Sequence, residues 1–575
     1  MGLPNILFIL TDQQRFDSVR EDVSPNLRRL ATRGAEFLHA YVSAPVCTPA
    51  RSAILTGRST WGHGLLGYGS GRVGHHYGRT MPAALSALGY HTAVVGKNHF
   101  GWTDGGPVKM GFDTLVMYDG LSQDFDDYDS WFQQELPGED PLRTGGLGWN
   151  TWRAAPYVFD EYYHPTSWTG RQAIKLIRSF AGAGQVPFFL KVSFHRPHSP
   201  YDPPQRLLDT TPTPSTPPSI SRDGWDEQYR DCWDKGSRNQ WCGAVDDAAL
   251  DLTRRAYLAL VTQVDEWIGA ILDTLNETGF ASDTFILFTS DHGDEQMDHY
   301  LWKKGYPFEG STHVPMIVHW PETMDALIDI ERGSKISGVV EMRDIFPTFL
   351  DVSGSWSDGF EGFEGRPLTW LLRKQTPAWR EVLDMEFNMF YINSWNAITD
   401  GKMKYIFYAS YRDEQLFNLT EDPGEQRDLA RVSEYGPLLE LWRGRLVDQF
   451  LRERRGAGWV WGRTLMPRPY IPCNFGPNYP EYSIEKGICG FASSVTWPVL
   501  LTFSGLLLLI ALCCCGCACR CCFWRLRSRC LKQRHDAGAD TPEFAAGADT
   551  PESVAGADTP ESVAIADTTG SVATV

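Results

Sequence analysis

Asn5-Ile6-Leu7-Phe8-Ile9-Leu10 is a short continuous apolar run that stops at Thr11-Asp12. Such a run suits a strand buried on both faces of a parallel sheet, with polar groups delivered at its C-terminal end. The same pattern recurs downstream. His91 to Val95 reads as a strand ending at Gly96-Lys97, Phe188 to Phe194 as one ending at His195, and Phe285 to Thr289 as one ending at Asp291-His292. Val314 to Trp320 adds another. Between them, Ser24-Pro25 starts a helix that ends near Gly34, and Met81 to Leu88 reads as a second. Chemistry-bearing residues therefore fall repeatedly just beyond strand ends, where open α/β sheets bind ligands. The expected fold is α/β, a large mixed sheet sandwiched by helices, over 1–355.

After Gly354 the character changes. Trp395 to Tyr408 reads as a hairpin around Asp400-Gly401, Gln415 to Leu419 as a short strand, and Leu438 to Leu451 as a helix. These predict a smaller α+β domain over 356–470. Stretches near 100–170 and 200–245 are rich in Gly, Pro, Trp and Asp with little periodicity, as expected of long insertions that shape a pocket.

A linker over 471–494 leads to a nearly charge-free apolar segment, 495–518, long enough to span a bilayer. Arg520, Arg525, Arg527, Arg529, Lys532 and Arg534 follow it, which reads as a cytoplasmic flank. Cysteines at that boundary are candidates for S-palmitoylation. The tail to residue 575 carries a nine-residue repeat from Ala539, Ala548 and Ala557, too poor in large apolar residues to fold. Positive-inside orientation puts the body outside the cytosol, yet Met1 to Pro4 cannot form an apolar leader. The expectation is a single-pass protein, its body luminal or extracellular, whose upstream leader is missing from the sequence as given.

The net charge of −18 excludes nucleic acid as a partner, because a phosphate backbone recruits a basic face. It does not exclude one sulfate or phosphate group, for which a few local cations suffice. Of 13 cysteines, five lie in the main body: Cys47, Cys232, Cys242, Cys473 and Cys489. The last four form two locally spaced pairs, either disulfides of an oxidising compartment or free thiols. The sequons at Asn276 and Asn418 are compatible with a secretory route.

Cys47-Thr48-Pro49-Ala50-Arg51, followed by Thr56-Gly57-Arg58, resembles the signature of type I sulfatases, members of the alkaline phosphatase superfamily. Gly96-Lys97-Asn98-His99-Phe100-Gly101, His195-Arg196-Pro197-His198, Lys304-Gly305 and Asp422-Pro423-Gly424-Glu425 resemble further elements of that family in its order. The resemblance covers Asn5 to about Leu451 and is nearest the arylsulfatase type. It implies an alkaline-phosphatase-like fold and a Cys47 oxidised to formylglycine by a formylglycine-generating enzyme. The hydrated aldehyde then attacks the sulfur of a sulfated small molecule or glycan.

By the same resemblance Asp12, Gln13, Asp291 and His292, with modified Cys47, hold one divalent metal. Calcium is the first choice, with magnesium and manganese as alternatives. Gln13 departs from the double-Asp form of the family but can ligate through its carbonyl oxygen. His292 would ligate through a ring nitrogen, unusual for calcium. Pro49 suits the first turn of a helix from Pro49 to Leu55, so Cys47 faces helix N-terminal amides that favour an anion. Arg51 would brace the diol. Lys97 and Lys304 would offset charge on the sulfate, His195 with Lys304 would serve the leaving group, and His99 would take the proton that expels sulfate. A phosphonate or phosphate monoester hydrolase of the same superfamily is the second reading, and a catalytically inactive tethered binding protein the third.

Overall fold

The computed structural model describes residues 2–480 except 70, 74–76, 104–105, 121–125, 142–145, 149, 183, 185, 233, 238, 358–361, 374–378, 389–393 and 469–473. The apolar segment 495–518, the basic flank, the repeat tail, and both Cys473 and Cys489 lie outside the described residues. Among the described residues no helix is long and apolar enough to cross a membrane.

The main sheet is built from β1 (Asn5–Asp12), β2 (Ala35–Tyr41), β3 (His91–Gly96), β4 (Thr114–Met117), β5 (Phe188–Pro197), β6 (Thr284–Ser290), β7 (Met316–His319) and β8 (Ser334–Glu341). Their order is β8-β2-β7-β6-β1-β5-β3-β4. β7 runs antiparallel to β2 and β6, and the remaining neighbours are parallel. β1 is central, and every residue of it is buried.

Successive side chains of a strand point to opposite faces, so the continuous apolar run of β1 serves two cores. Ile6, Phe8 and Leu10 join one with Ile54 and Leu55 of α2 (Cys47–Thr56), Met81 and Leu85 of α3 (Met81–Ala87), and Phe346 and Phe349 of α6 (Ile345–Val352). Leu7 and Ile9 join the other with Leu27 of α1 (Pro25–Thr32), Ile177 of α4 (Pro165–Gly182), and Ile268 of α5 (Asp247–Glu277). This is the expected helix-covered mixed sheet.

The strand from Phe188 runs past Phe194 to Pro197, so His195 lies within it rather than after it. Elements the sequence reading passed over include β2, β4, β8, the long helices α4 and α5, and α6. β8 alternates in burial over its first half and contains Gly338, which blurs the apolar signal.

A second, antiparallel sheet has the order β9 (Leu383–Phe387), β10 (Trp395–Thr399), β11 (Met403–Tyr408), β12 (Asp413–Asn418). The hairpin turns at Asp400-Gly401 as expected. One face packs Trp395, Ala397 and Ile406 against Tyr41, Leu301 and Phe308 of the first unit. The other packs Ile398, Tyr405 and Leu416 against Trp442 and Leu446 of α7 (Gly436–Arg452).

An ionic knot crosses this interface. Lys404 Nζ of β11 lies 2.7 Å from Glu309 Oε1 and 2.9 Å from Glu425 Oε1, and donates to the Pro307 carbonyl at 3.0 Å. All three charged side chains are buried. Removing one partner of a buried pair strands the other charge, at a cost of about 3–5 kcal/mol. Lys404→Ala is therefore expected to lower the denaturation midpoint by that equivalent, measured by urea unfolding, whereas Lys402→Ala on the exposed turn should leave it unchanged.

Candidate active site

Register brings the polar strand ends together. Thr11 of β1 pairs with Ser290 of β6, which sets Asp12 beside Asp291 and His292. β5 and β3 continue the row, delivering His195 and then Lys97. α2 enters from the side with Cys47 as its first residue, and all ten of its residues are buried. The helix begins two residues before the expected Pro49.

Cys47 Sγ lies 3.3 Å from His292 Nε2, 3.8 Å from Asp12 Oδ1 and 3.3 Å from Lys304 Nζ. One ligand-type atom from each of Asp12, Cys47, Asp291 and His292 falls within 4.8 Å of the others. Burial and the neighbouring Asp12 push the Cys47 thiol up, but Lys304, Lys97 and His292 outweigh them and hold it well below its ordinary range. Lys304 is raised: burial lowers it, and the negative charge of Cys47, Asp12 and Asp291 more than compensates. Asp12 is held low, burial being overcome by Lys97, His198, Lys304 and His292. Asp291 is raised, because burial and the charge of Asp12 exceed the pull of Arg51 and His292.

Arg51 lies one turn into α2, where its guanidinium reaches the carboxylates. Nε donates to Asp291 Oδ2 at 2.9 Å, Nη2 to Asp12 Oδ2 at 3.0 Å, and Nη1 to the Lys97 carbonyl at 2.6 Å. It thus holds the two aspartates. Lys97 Nζ stands 2.9 Å from Asp12 Oδ2.

Gln13 is oriented by a residue the sequence reading left without a role. Its Nε2 donates to Asp294 Oδ2 at 2.6 Å and to Tyr201 Oη at 3.3 Å. Asp294 accepts from Tyr201 and from the backbone N–H groups of Gln296 and Lys303, so the amide nitrogen faces it and the amide oxygen faces away. That oxygen, Oε1, is buried with no hydrogen-bond partner. A buried orphan carbonyl oxygen on the residue next to Asp12 suits a divalent cation that accepts oxygen ligands. Gln13 also has φ 69°, and His99 φ 56°. Left-handed backbone at a residue other than glycine costs about 1–3 kcal/mol and gathers at functional sites.

His99 donates from Nδ1 to the Gly71 carbonyl at 2.7 Å, and its Nε2 is buried without a hydrogen-bond partner. Asp119 fixes the turn beneath it, accepting from the backbone N–H groups of Asn98 and His99 at 2.6 and 3.1 Å. His198 is the last residue of the His195-Arg196-Pro197-His198 motif. Its ring stands 4.8 Å from that of His195, with Lys304 and Lys97 close enough to depress its pKa after burial. Lys304 is held through its neighbour Gly305. The Gly305 N–H donates to the Pro45 carbonyl at 3.1 Å, and its carbonyl accepts Trp395 Nε1 of the second sheet at 2.8 Å.

A cationic wall facing a buried carboxylate–imidazole pocket equips a hydrolase of anionic esters. A sulfatase family model matches residues 4–355, and a model described as N-sulphoglucosamine sulphohydrolase, C-terminal, matches 297–450. An arylsulfatase of Clostridium perfringens is 33% identical, covering 80% of this chain and 97% of its own length. A choline-sulfatase of Rhizobium meliloti is 29% identical over 83% of this chain and 94% of its own. The solved phosphonate monoester hydrolase of Agrobacterium radiobacter shares the fold, with TM-score 0.65 and 23% identity over 78% and 96% of the two chains. The chain belongs to the sulfatase family.

Residues that orient a metal ligand typically contribute about 10–100-fold to metal affinity. Asp294→Ala is accordingly expected to weaken binding of Ca2+ or Mn2+ by that order in titration calorimetry. An unchanged affinity would show that the Gln13 amide oxygen takes no part.

Proposed function

We propose that the protein hydrolyses sulfate monoesters, with Cys47, converted to formylglycine, at the point of attack. The observation that carries this reading is the place of Cys47: first residue of a buried helix, within 3.3 Å of both His292 Nε2 and Lys304 Nζ. The modified residue would supply a hydroxyl nucleophile whose collapse to the aldehyde expels sulfate without attack of water on the ester. Asp12, Gln13, Asp291 and His292, with modified Cys47, would hold a divalent ion, calcium by preference with magnesium and manganese as alternatives. When bound it would supply Lewis-acid polarisation and offset sulfate charge.

The chain's own groups do the rest. Lys97 and Lys304 bind the sulfate oxygens and oppose the charge that develops on them. Arg51 holds Asp12 and Asp291 in place. His99 Nε2 presents a lone pair and takes the proton whose loss releases sulfate. His195 faces the leaving-group oxygen with Lys304 beside it. Cys47→Ala should reduce turnover of an aryl sulfate by at least about 10³-fold while leaving the unfolding curve intact. Mass spectrometry of the Cys47 peptide should find the aldehyde or its hydrate. Unmodified thiol throughout an active preparation would sink the mechanism, and phosphate release exceeding sulfate release from paired aryl esters would favour the phosphonate or phosphate reading.

The organisation proposed is a catalytic unit over 1–355, a smaller unit over 356–470, a membrane segment at 495–518 and a cytoplasmic tail. The active site is then luminal or extracellular, and a formylglycine-generating enzyme meets the chain in the secretory route. A Cys232–Cys242 disulfide in the body supports an oxidising compartment. Protease added to intact cells should leave a tag placed beyond Arg534 intact, whereas sealed microsomes, whose cytoplasmic face is outward, should keep the body and lose that tag. The opposite pattern would reverse the orientation.

A further inference from the structure

The histidines of the site do not all hold their protons alike. His99, His198 and His292 each turn Nδ1 to a backbone carbonyl, of Gly71, Ser199 and Gly293, at 2.7, 2.6 and 2.9 Å. A carbonyl only accepts, so in these three rings Nδ1 carries a proton. His195 is arranged the other way. Its Nδ1 faces Arg196 Nη1, and a guanidinium only donates. Nδ1 must therefore accept, and the single proton of the neutral ring belongs on Nε2, the edge turned from Arg196.

The guanidinium is itself locked. Arg196 Nε and Nη2 grip Asp202 Oδ1 and Oδ2 at 2.8 and 2.9 Å, a bidentate pair in which both side chains are about 1% exposed. His164 Nε2 stands 3.7 Å from the same carboxylate. Tyr118 meets the His195 ring edge-on at 5.5 Å, and His198 lies at 4.8 Å, so the ring plane is fixed as well. The Arg196 charge is spent on Asp202, leaving Nη1 to direct one hydrogen at Nδ1. Burial, then Lys97, Arg196 and His198, keep the imidazole neutral.

We propose that Arg196 and Asp202 are positioning residues that hold His195 as a neutral Nε2–H donor, aimed at the leaving-group oxygen of the ester. This rests on the sulfatase reading above. As an oxygen of modified Cys47 bonds to sulfur and the ester S–O bond breaks, the bond's electron pair gathers on the leaving oxygen. The His195 hydrogen bond to it strengthens with the proton remaining on Nε2, and Lys304 supplies the proton the leaving group carries away. Poor leaving groups, which carry more charge at that moment, depend on the bond most.

Nitrogen-15 NMR of the full-length, metal-loaded protein labelled at histidine tests the tautomer directly. The His195 signals, assigned by their loss in His195→Gln, should show a pyridine-type Nδ1 and a pyrrole-type Nε2. Arg196→Met should move them toward the opposite tautomer. On a series of aryl sulfates, Arg196→Met and His195→Gln should both steepen the dependence of kcat/KM on leaving-group pKa. The expected loss is on the order of 10²-fold for the poorest leaving groups and within about 3-fold for the best. Asp202→Asn keeps the shape of the grip and should give a smaller shift of the same sign, which guards against misfolding of Arg196→Met. A protonated Nδ1 in the wild type would overturn the proposal. So would equal losses for every substrate in Arg196→Met with the His195 signals unmoved. Absence of aryl sulfate turnover by the wild type would instead refute the sulfatase reading, and a pyrrole-type Nε2 would still support the Arg196–Asp202 grip.

Discussion

Two carboxylates side by side in a dry interior repel one another, and everything at this site is arranged around that fact. Asp12 and Asp291 end adjacent parallel strands in strict register, so the sheet itself forces them together. Arg51 reaches both with one guanidinium. Because Arg51 lies on the helix that begins at Cys47, the ion pair that quiets the carboxylates also sets the reactive residue over them. Left without that cation, the two buried charges would cost several kcal/mol. The fixed pairing also explains their opposite titration: Asp12, closer to the lysines, is pushed down, while Asp291 is pushed up.

Much of this was legible in the chain. A run such as Asn5 to Leu10 has no polar alternation, so it declares burial on both faces, and residues that break such runs fall at strand ends. That logic placed Asp12, Lys97, Asp291 and His292 on one edge of the sheet. It could not foresee that β7 runs against its neighbours, because direction leaves no mark on an apolar run. Nor could it find β2, where Glu36 and His39 interrupt the apolar residues. Asp294 was in plain view within Thr289-Ser290-Asp291-His292-Gly293-Asp294, yet its role depends on where Gln13 points, a fact of three-dimensional hydrogen bonding. Arg51 was found, but its partners were not, since the rise of one helical turn does not say which side of the pocket a long side chain crosses.

The second sheet is part of the site rather than an appendage to it. Trp395 supports the carbonyl next to Lys304, and Lys404 and Glu425 tie the strand behind it to Glu309. A cation that stands beside the sulfur of Cys47 is thereby braced from the far end of the chain. Substitutions in β10 or β11 would reach the chemistry through this support without touching substrate.

Burial of Cys47 also dictates a timetable. At 2% exposure, inside a helix with no accessible residue, it is out of reach of any enzyme once the fold has closed. Its partner His292, just beyond the end of β6, emerges 245 residues later. At about 5–20 residues per second of synthesis, that spacing leaves roughly 10–50 s in which the cysteine is exposed and the pocket has no floor. Under the proposed modification, the maturing enzyme works against the ribosome's clock, and a chain released into folding too early would be trapped with an inert thiol.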